Sequence, residues 1–244
     1  MPTAILLESA ALALVFALVH VGARRLAFLS RRPRSIWLSL GGGVSVAYVF
    51  LQLLPELHEG QHAVRESVGL RLGSTESEIY LVTLAGLTIF YGLERLAAAS
   101  RRSVREAGGG DRTAEGAFAL HIGSFALYNA LIGYLLVHGE RGDELLYGFA
   151  MALHFVVNDQ ALREHHKERY ERQGRWLLAG AVLLGWLGGV WLDLPELGIR
   201  LMIALLAGGV IMNVLKEELP EERQSRFWAF LVGATAYGAI LLAV

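Results

Sequence analysis

Apolar residues gather along the chain into eight runs, at 3–23, 36–57, 79–98, 116–137, 145–162, 176–192, 197–215 and 227–244. Each approaches the roughly 20 residues that a helix needs to cross a bilayer's hydrocarbon layer. The connections are short and leave no room for a separate soluble domain. The pattern therefore predicts an all-α integral membrane protein, a single transmembrane domain over 1–244 with eight transmembrane helices. One connection stands apart, residues 99–115, whose Gly108-Gly109-Gly110 run reads as a flexible cytoplasmic loop.

Composition agrees with the pattern. Of 244 residues, 54% are hydrophobic and 18% charged, against about 45–50% and about 25% in an ordinary soluble domain. The chain has no cysteine, so it holds neither a disulfide nor a thiolate metal site, and a metal would need His, carboxylate, amide or water ligands. The first span carries Glu8, has no basic residue before it and lacks a small-residue cleavage site. A cleaved signal peptide is not expected.

Charge gives the spans direction. Lys and Arg in short connections stay on the cytoplasmic side. The connections after spans 1, 3, 5 and 7 hold 18 of the 22 Lys and Arg, and the others hold only Arg65, Arg71, Arg141 and Arg200. Both termini are thus expected outside, in the inner or plasma membrane. An internal echo accompanies this alternation. Gly42-Gly43-Val44 opens a segment ending Leu54-Pro55-Glu56, and Gly208-Gly209-Val210 opens one ending Leu219-Pro220-Glu221. Spans 2 and 7 run in opposite directions, so the echo predicts inverted repeats, spans 1–3 and 6–8, around a central pair, 4 and 5.

The chemistry lies in polar residues within the spans, since a charge at mid-helix costs about 2.5–3.5 kcal/mol on insertion scales. Span 5 places His154 and Asn158 four apart on one face with Asp159 beside them, and span 4 carries His121, Tyr128 and Asn129. A lone intramembrane His or Asn often only bonds a neighbouring helix, and His121 has that alternative; a His, an Asn and an Asp within six residues point to a site or a water-filled path. Beyond Asp159, His165 and His166 read as a release route or, more simply, a solvated helix end. Gln52, Glu56, His58 and His62 stand at the outer mouth, where acidic residues would concentrate cations. Asn213 and Lys216 read as interfacial, and Glu94-Arg95 as a helix-end pair. The pairs Gly42-Gly43, Gly188-Gly189 and Gly208-Gly209 read as close-packing surfaces, which suit a homodimer.

Taken together, these features resemble the ZIP (Zrt/Irt-like) family of divalent metal transporters. Span 2, Tyr48 to Glu56 with Gln52-Leu53-Leu54-Pro55-Glu56, is similar to the family's "HLLPE" ending, and span 7, with Gly208-Gly209 and Leu219-Pro220-Glu221, to its seventh helix. The resemblance implies a 3+2+3 bundle and a metal centre from a "HNxPEG" or "HNxxDG" motif in span 4 and a "HExPHE" motif in span 5. Here span 4 reads Tyr128-Asn129-Ala130-Leu131-Ile132-Gly133 and span 5 His154-Phe155-Val156-Val157-Asn158-Asp159. The departures imply a reduced, mononuclear site of His154, Asn158, Asp159 and Asn129, and straighter central helices for want of proline.

The resulting expectation is a transporter moving a divalent cation such as zinc toward the cytoplasm by alternating access. Its path would include His121, Tyr128, Gln52, Glu56, His58, His165 and His166. The alternative is a ZIP-fold homologue that carries a proton or another small solute, or regulates a partner. An intramembrane hydrolase is disfavoured, because hydrolytic zinc takes three good ligands and a water and His121 lies well over a turn from the level of His154. No enzyme activity, prosthetic group or nucleic-acid partner is expected; the partners are the bilayer and the cation.

Overall fold

The computed structural model describes residues 3–23, 25, 35–68, 78–110, 113–138, 144–218 and 226–243, and every regular element among them is helical. In chain order the helices are α1 (Thr3–Gly22), α2 (36–68), α3 (Glu78–Glu106), α4 (Glu115–His138), α5 (Glu144–His166), α6 (Arg175–Trp191), α7 (Glu196–Glu218) and α8 (Phe227–Ala243). Each covers one predicted span. Six stretches are long and apolar enough to cross a membrane, as in a multi-pass membrane protein: α1, Ile36–Gln61 of α2, α3, α4, Tyr170–Trp191 with α6, and Glu196–Lys216 of α7. The α8 helix is a shorter apolar helix. In α5, His154, Asn158, Asp159 and Gln160 lower the mean hydropathy of an otherwise apolar helix.

Two helix ends run well past the sequence reading. The α3 helix continues through Glu106, so the loop expected at 99–115 begins only at Ala107. Residues 99–106 include Arg101, Arg102 and Arg105 with Ala99 and Glu106, residue types that favour helix. The stop is at Gly108, with φ of 75°, where Gly109 N–H bonds Val104 O at 2.8 Å and Gly108 N–H bonds Arg105 O at 3.1 Å. That pair of bonds is a Schellman cap, and its left-handed position suits glycine. The α2 helix runs past Pro55 to Val68 after a π-helical turn, Val49–Leu53. Proline has no N–H and crowds the carbonyl four residues back; the wide turn, closed by Leu54 N–H to Val49 O, precedes it and contains Gln52. The α4 and α5 helices are uninterrupted, as the absence of proline predicts.

The helices gather into two compact units. The first comprises Met1–Arg31, Tyr91–Glu140 and Met151–Leu192, and the second Arg32–Phe90, Arg141–Ala150 and Asp193–Val244. Within the first, α6 packs against α4 and α1. The α4–α6 crossing is backbone on backbone: a Cβ on Gly133 would collide with Val182 O, and one on Gly185 with Ala130 O. Trp186 Nε1 donates to Ser9 Oγ at 3.1 Å, tying α6 to α1.

Within the second unit two crossings are built alike. Gly43 of α2 and Gly233 of α8 meet Phe230 O and Leu40 O, and Gly208 of α7 and Gly86 of α3 meet Thr83 O and Leu205 O. Gly43 and Gly208 belong to the echoed Gly-Gly-Val segments. Gly188 does not share this role, since a Cβ there would meet nothing within 4 Å. Leu219-Pro220-Glu221, the end of the second echoed segment, and the side chain of His62 lie outside the described residues.

Candidate functional site

The predicted ligands of α4 and α5 lie within the first unit and are buried: Asn129, His154, Asn158 and Asp159, with Tyr128. A residue that the sequence reading did not select organises them. His20, in the last turn of α1, is 1% exposed. Its Nδ1 lies 2.8 and 3.0 Å from the two oxygens of Asp159, itself 1% exposed, and its Nε2 lies 2.8 Å from Asn129 Oδ1. The orientation of the Asn129 amide is fixed, because its NH2 donates to Phe125 O at 2.7 Å.

His20 therefore has an acceptor at each ring nitrogen. Nε2 must donate to the amide oxygen, and one proton lies between Nδ1 and the carboxylate. Whichever atom carries it, the His20–Asp159 pair is electrically neutral. The imidazole occupies the position between Asp159 and Asn129 that a cation bound to both would take. Phe155, where the ZIP resemblance implies a carboxylate, instead packs on the His20 ring at 4.8 Å and meets Phe16 edge-on at 5.1 Å. His154 Nε2 lies 3.1 Å from Tyr128 OH. Among the described residues, no three His, Asp or Glu side chains lie close enough together to hold a metal ion.

Three other predicted histidines, His121, His165 and His166, form a second cluster in the same unit. His121 Nδ1 is 2.9 Å from His166 Nε2, and His166 Nδ1 is 2.8 Å from Thr113 Oγ1. His121 Nε2 faces Glu94 Oε1 at 3.4 Å, and His165 Nε2 faces Glu94 Oε2 at 3.1 Å. His166 is thus no solvated helix end; it is 1% exposed, turned inward before the left-handed residue Lys167. Glu94 is likewise buried, 12 residues before the last residue of α3, Glu106. His166 lies beyond the apolar stretch 145–162, and burial, then His121 and His165, pushes its imidazole down to about 3.

Gln52, Glu56 and His58 belong to the second unit and are described with it. Gln52 Oε1 is buried without a hydrogen-bond partner among the described residues, Glu56 is half-buried, and His58 is exposed with its Nδ1 3.5 Å from Tyr80 OH. Asn213, expected at an interface, is instead buried in α7, with both amide atoms lacking partners among the described residues. A cavity of about 460 Å³ opens beside α4, lined by Phe118, Ile122, Arg169 and Leu177 among others, and contains none of the predicted ligands. Searches of protein-family models and of curated proteins find no match to the chain.

Proposed function

We propose that the chain is a membrane transporter of ZIP-like architecture that carries a divalent cation toward the cytoplasm. In this reading all eight helices span the membrane, both termini lie outside, and spans 1–3 and 6–8 are inverted repeats around 4 and 5. The matched glycine crossings, α2 with α8 and α7 with α3, support the repeat. One observation carries the functional reading. A carboxylate, two amides and an imidazole are buried on α4 and α5, and the acceptors Asp159 and Asn129 are bridged by an imidazole from α1. Ionisable groups at such depth mark ion pathways more often than packing.

Cation binding at Asp159 and Asn129 requires His20 to leave. The resident imidazole keeps the site neutral when no cation is bound, and its departure frees the Asp159 carboxylate and the Asn129 amide oxygen, with Asn158 and His154 on the same helix as Asp159. Amides are poor ligands for zinc, so the site binds weakly, which suits release during transport. The second reading, that the path carries protons, is favoured by the absence, among the described residues, of a group of three His, Asp or Glu that could hold a metal ion. Proteoliposomes separate the two. Uptake of Zn²⁺, Mn²⁺, Fe²⁺ or Cd²⁺ above empty vesicles that is lost in Asp159→Ala supports the metal reading. Proton flux without metal uptake supports the second, and neither flux removes both.

A further inference from the structure

We infer that Glu94, His121, His166 and Thr113 form a proton-binding relay in which one carboxylate sets the tautomers of the histidines, and a proton taken up at the Thr113 end comes to rest on Glu94. The inference stands on the geometry of this cluster and needs neither transport reading.

A carboxylate accepts hydrogen bonds and cannot donate them. While Glu94 is ionised, the nitrogens facing it, His121 Nε2 and His165 Nε2, are the ones that carry hydrogen. A neutral His121 with its N–H at Nε2 has a bare Nδ1, so the 2.9 Å contact with His166 is filled by the N–H of His166 Nε2. His166 is held neutral, its imidazole pushed down to about 3. Its Nδ1 is then bare and accepts from the Thr113 hydroxyl at 2.8 Å. The two hydrogen bonds point one way, Thr113 to His166 to His121, and His121 Nε2 faces Glu94 Oε1 across 3.4 Å.

A proton delivered to Thr113, itself buried at 2% exposure, can pass down this line with every bond accounted for. Thr113 Oγ1 receives it and gives its own proton to His166 Nδ1. The His166 Nε2–H bond breaks as His121 Nδ1–H forms, and the His121 Nε2–H bond breaks as Glu94 Oε1–H forms. One proton has entered at Thr113, Glu94 is neutral, both rings remain neutral, and each N–H has moved from Nε2 to Nδ1. At the step from His121 to Glu94 the two atoms lie 3.4 Å apart and make no hydrogen bond with each other, so this is the one transfer that requires the side chains to move closer. Among the described residues, the surroundings include His165, at 18% exposure the wetter partner of Glu94, the rings of Phe118 and Phe125, and Arg169, which lies over Phe118 and is paired with Glu115 at 2.7 Å. The nearby Arg163 is paired with Glu171 at 3.5 Å.

The test is ¹⁵N NMR of the full chain labelled in its histidine rings, in detergent, from about pH 4 to about pH 9. The relay requires Nε2–H tautomers of His121 and His166 at high pH and a joint change to Nδ1–H at a single midpoint, without imidazolium. Separate midpoints, imidazolium formation, or tautomers fixed across the range overturn it. In Glu94→Gln the joint change disappears, and its persistence overturns the inference. Thr113→Val, which leaves Glu94 in place, keeps the Nε2–H tautomers at high pH; a change there would show that the threonine sets the sense and would overturn it too. Should Glu94→Gln fail to fold, the wild-type titration and Thr113→Val decide. Metal or proton flux in liposomes is not read, so failure here leaves the transport proposal standing.

Discussion

Replacing His20 with Ala removes a hydrogen-bond partner from each of two groups that have little contact with water. Asp159 is 1% exposed and loses the imidazole facing both of its oxygens at 2.8 and 3.0 Å, and Asn129 Oδ1 loses a contact of 2.8 Å. Breaking a buried ion pair by removing one partner costs about 3–5 kcal/mol, mostly through the charge left behind. At about 2–4 °C per kcal/mol for a chain of this size, His20→Ala should melt about 10 °C below wild type in detergent. The loss belongs to the pair, so the double variant His20→Ala with Asp159→Ala should be less destabilised than the sum of the single losses. The opened site should also accept a cation: a divalent ion at 100 times its Kd restores about 2.7 kcal/mol, stabilising His20→Ala while leaving wild type almost unmoved. Melting of His20→Ala with wild type, or strictly additive losses in the double variant, would refute the energetic reasoning. Full coupling without rescue by Zn²⁺ or Mn²⁺ would retain the pair and refute the cation site.

Two further outcomes follow from the packing. Gly185→Ala places a methyl against Ala130 O, backbone that has little room to yield, and should cost about 1–3 kcal/mol. At Gly180, where nothing lies within 4 Å, the same change should be neutral or stabilise by up to about 1 kcal/mol; equal melting shifts would show that the α4–α6 crossing is not close-packed. His166, lowered to about 3 from an ordinary 6.5, favours the folded state most above pH 6.5, and that contribution is lost as pH falls from 6.5 toward 3. Melting scans at neutral and acid pH should show a decline that His166→Gln reduces, and an unchanged slope in the variant would assign the decline to other groups.

The helices were legible because their cause is local. Apolar runs of bilayer length fix where helices lie, and α1, α4, α6 and α8 begin and end within two residues of their predicted spans. The overruns of α2 and α3 come from residues such as 99–106, whose helical preference is independent of hydrophobicity. Burial of Asn129, His154, Asn158 and Asp159 was legible for a similar reason, since polar groups in apolar helices seek an interior. Their pairing was not, because it depends on a helix more than 100 residues away in sequence. His20 stands four residues before Arg24 and reads by position as a residue of the span's end. The available clue was a stripe: Ser9, Ala13, Phe16 and His20 recur at spacings of four, three and four and are all buried. Two of those four are polar, and both find partners, Ser9 with Trp186 and His20 with Asp159 and Asn129. Comparison of span 5 with the ZIP motif counted the ligands that α5 lacks; it could not show that α1 brings an imidazole of its own to the remaining carboxylate. Under the proposed ZIP-like reading, Phe155 in place of a carboxylate and the presence of His20 would be one change read at two places: one negative charge fewer leaves a single carboxylate, which one imidazole suffices to neutralise.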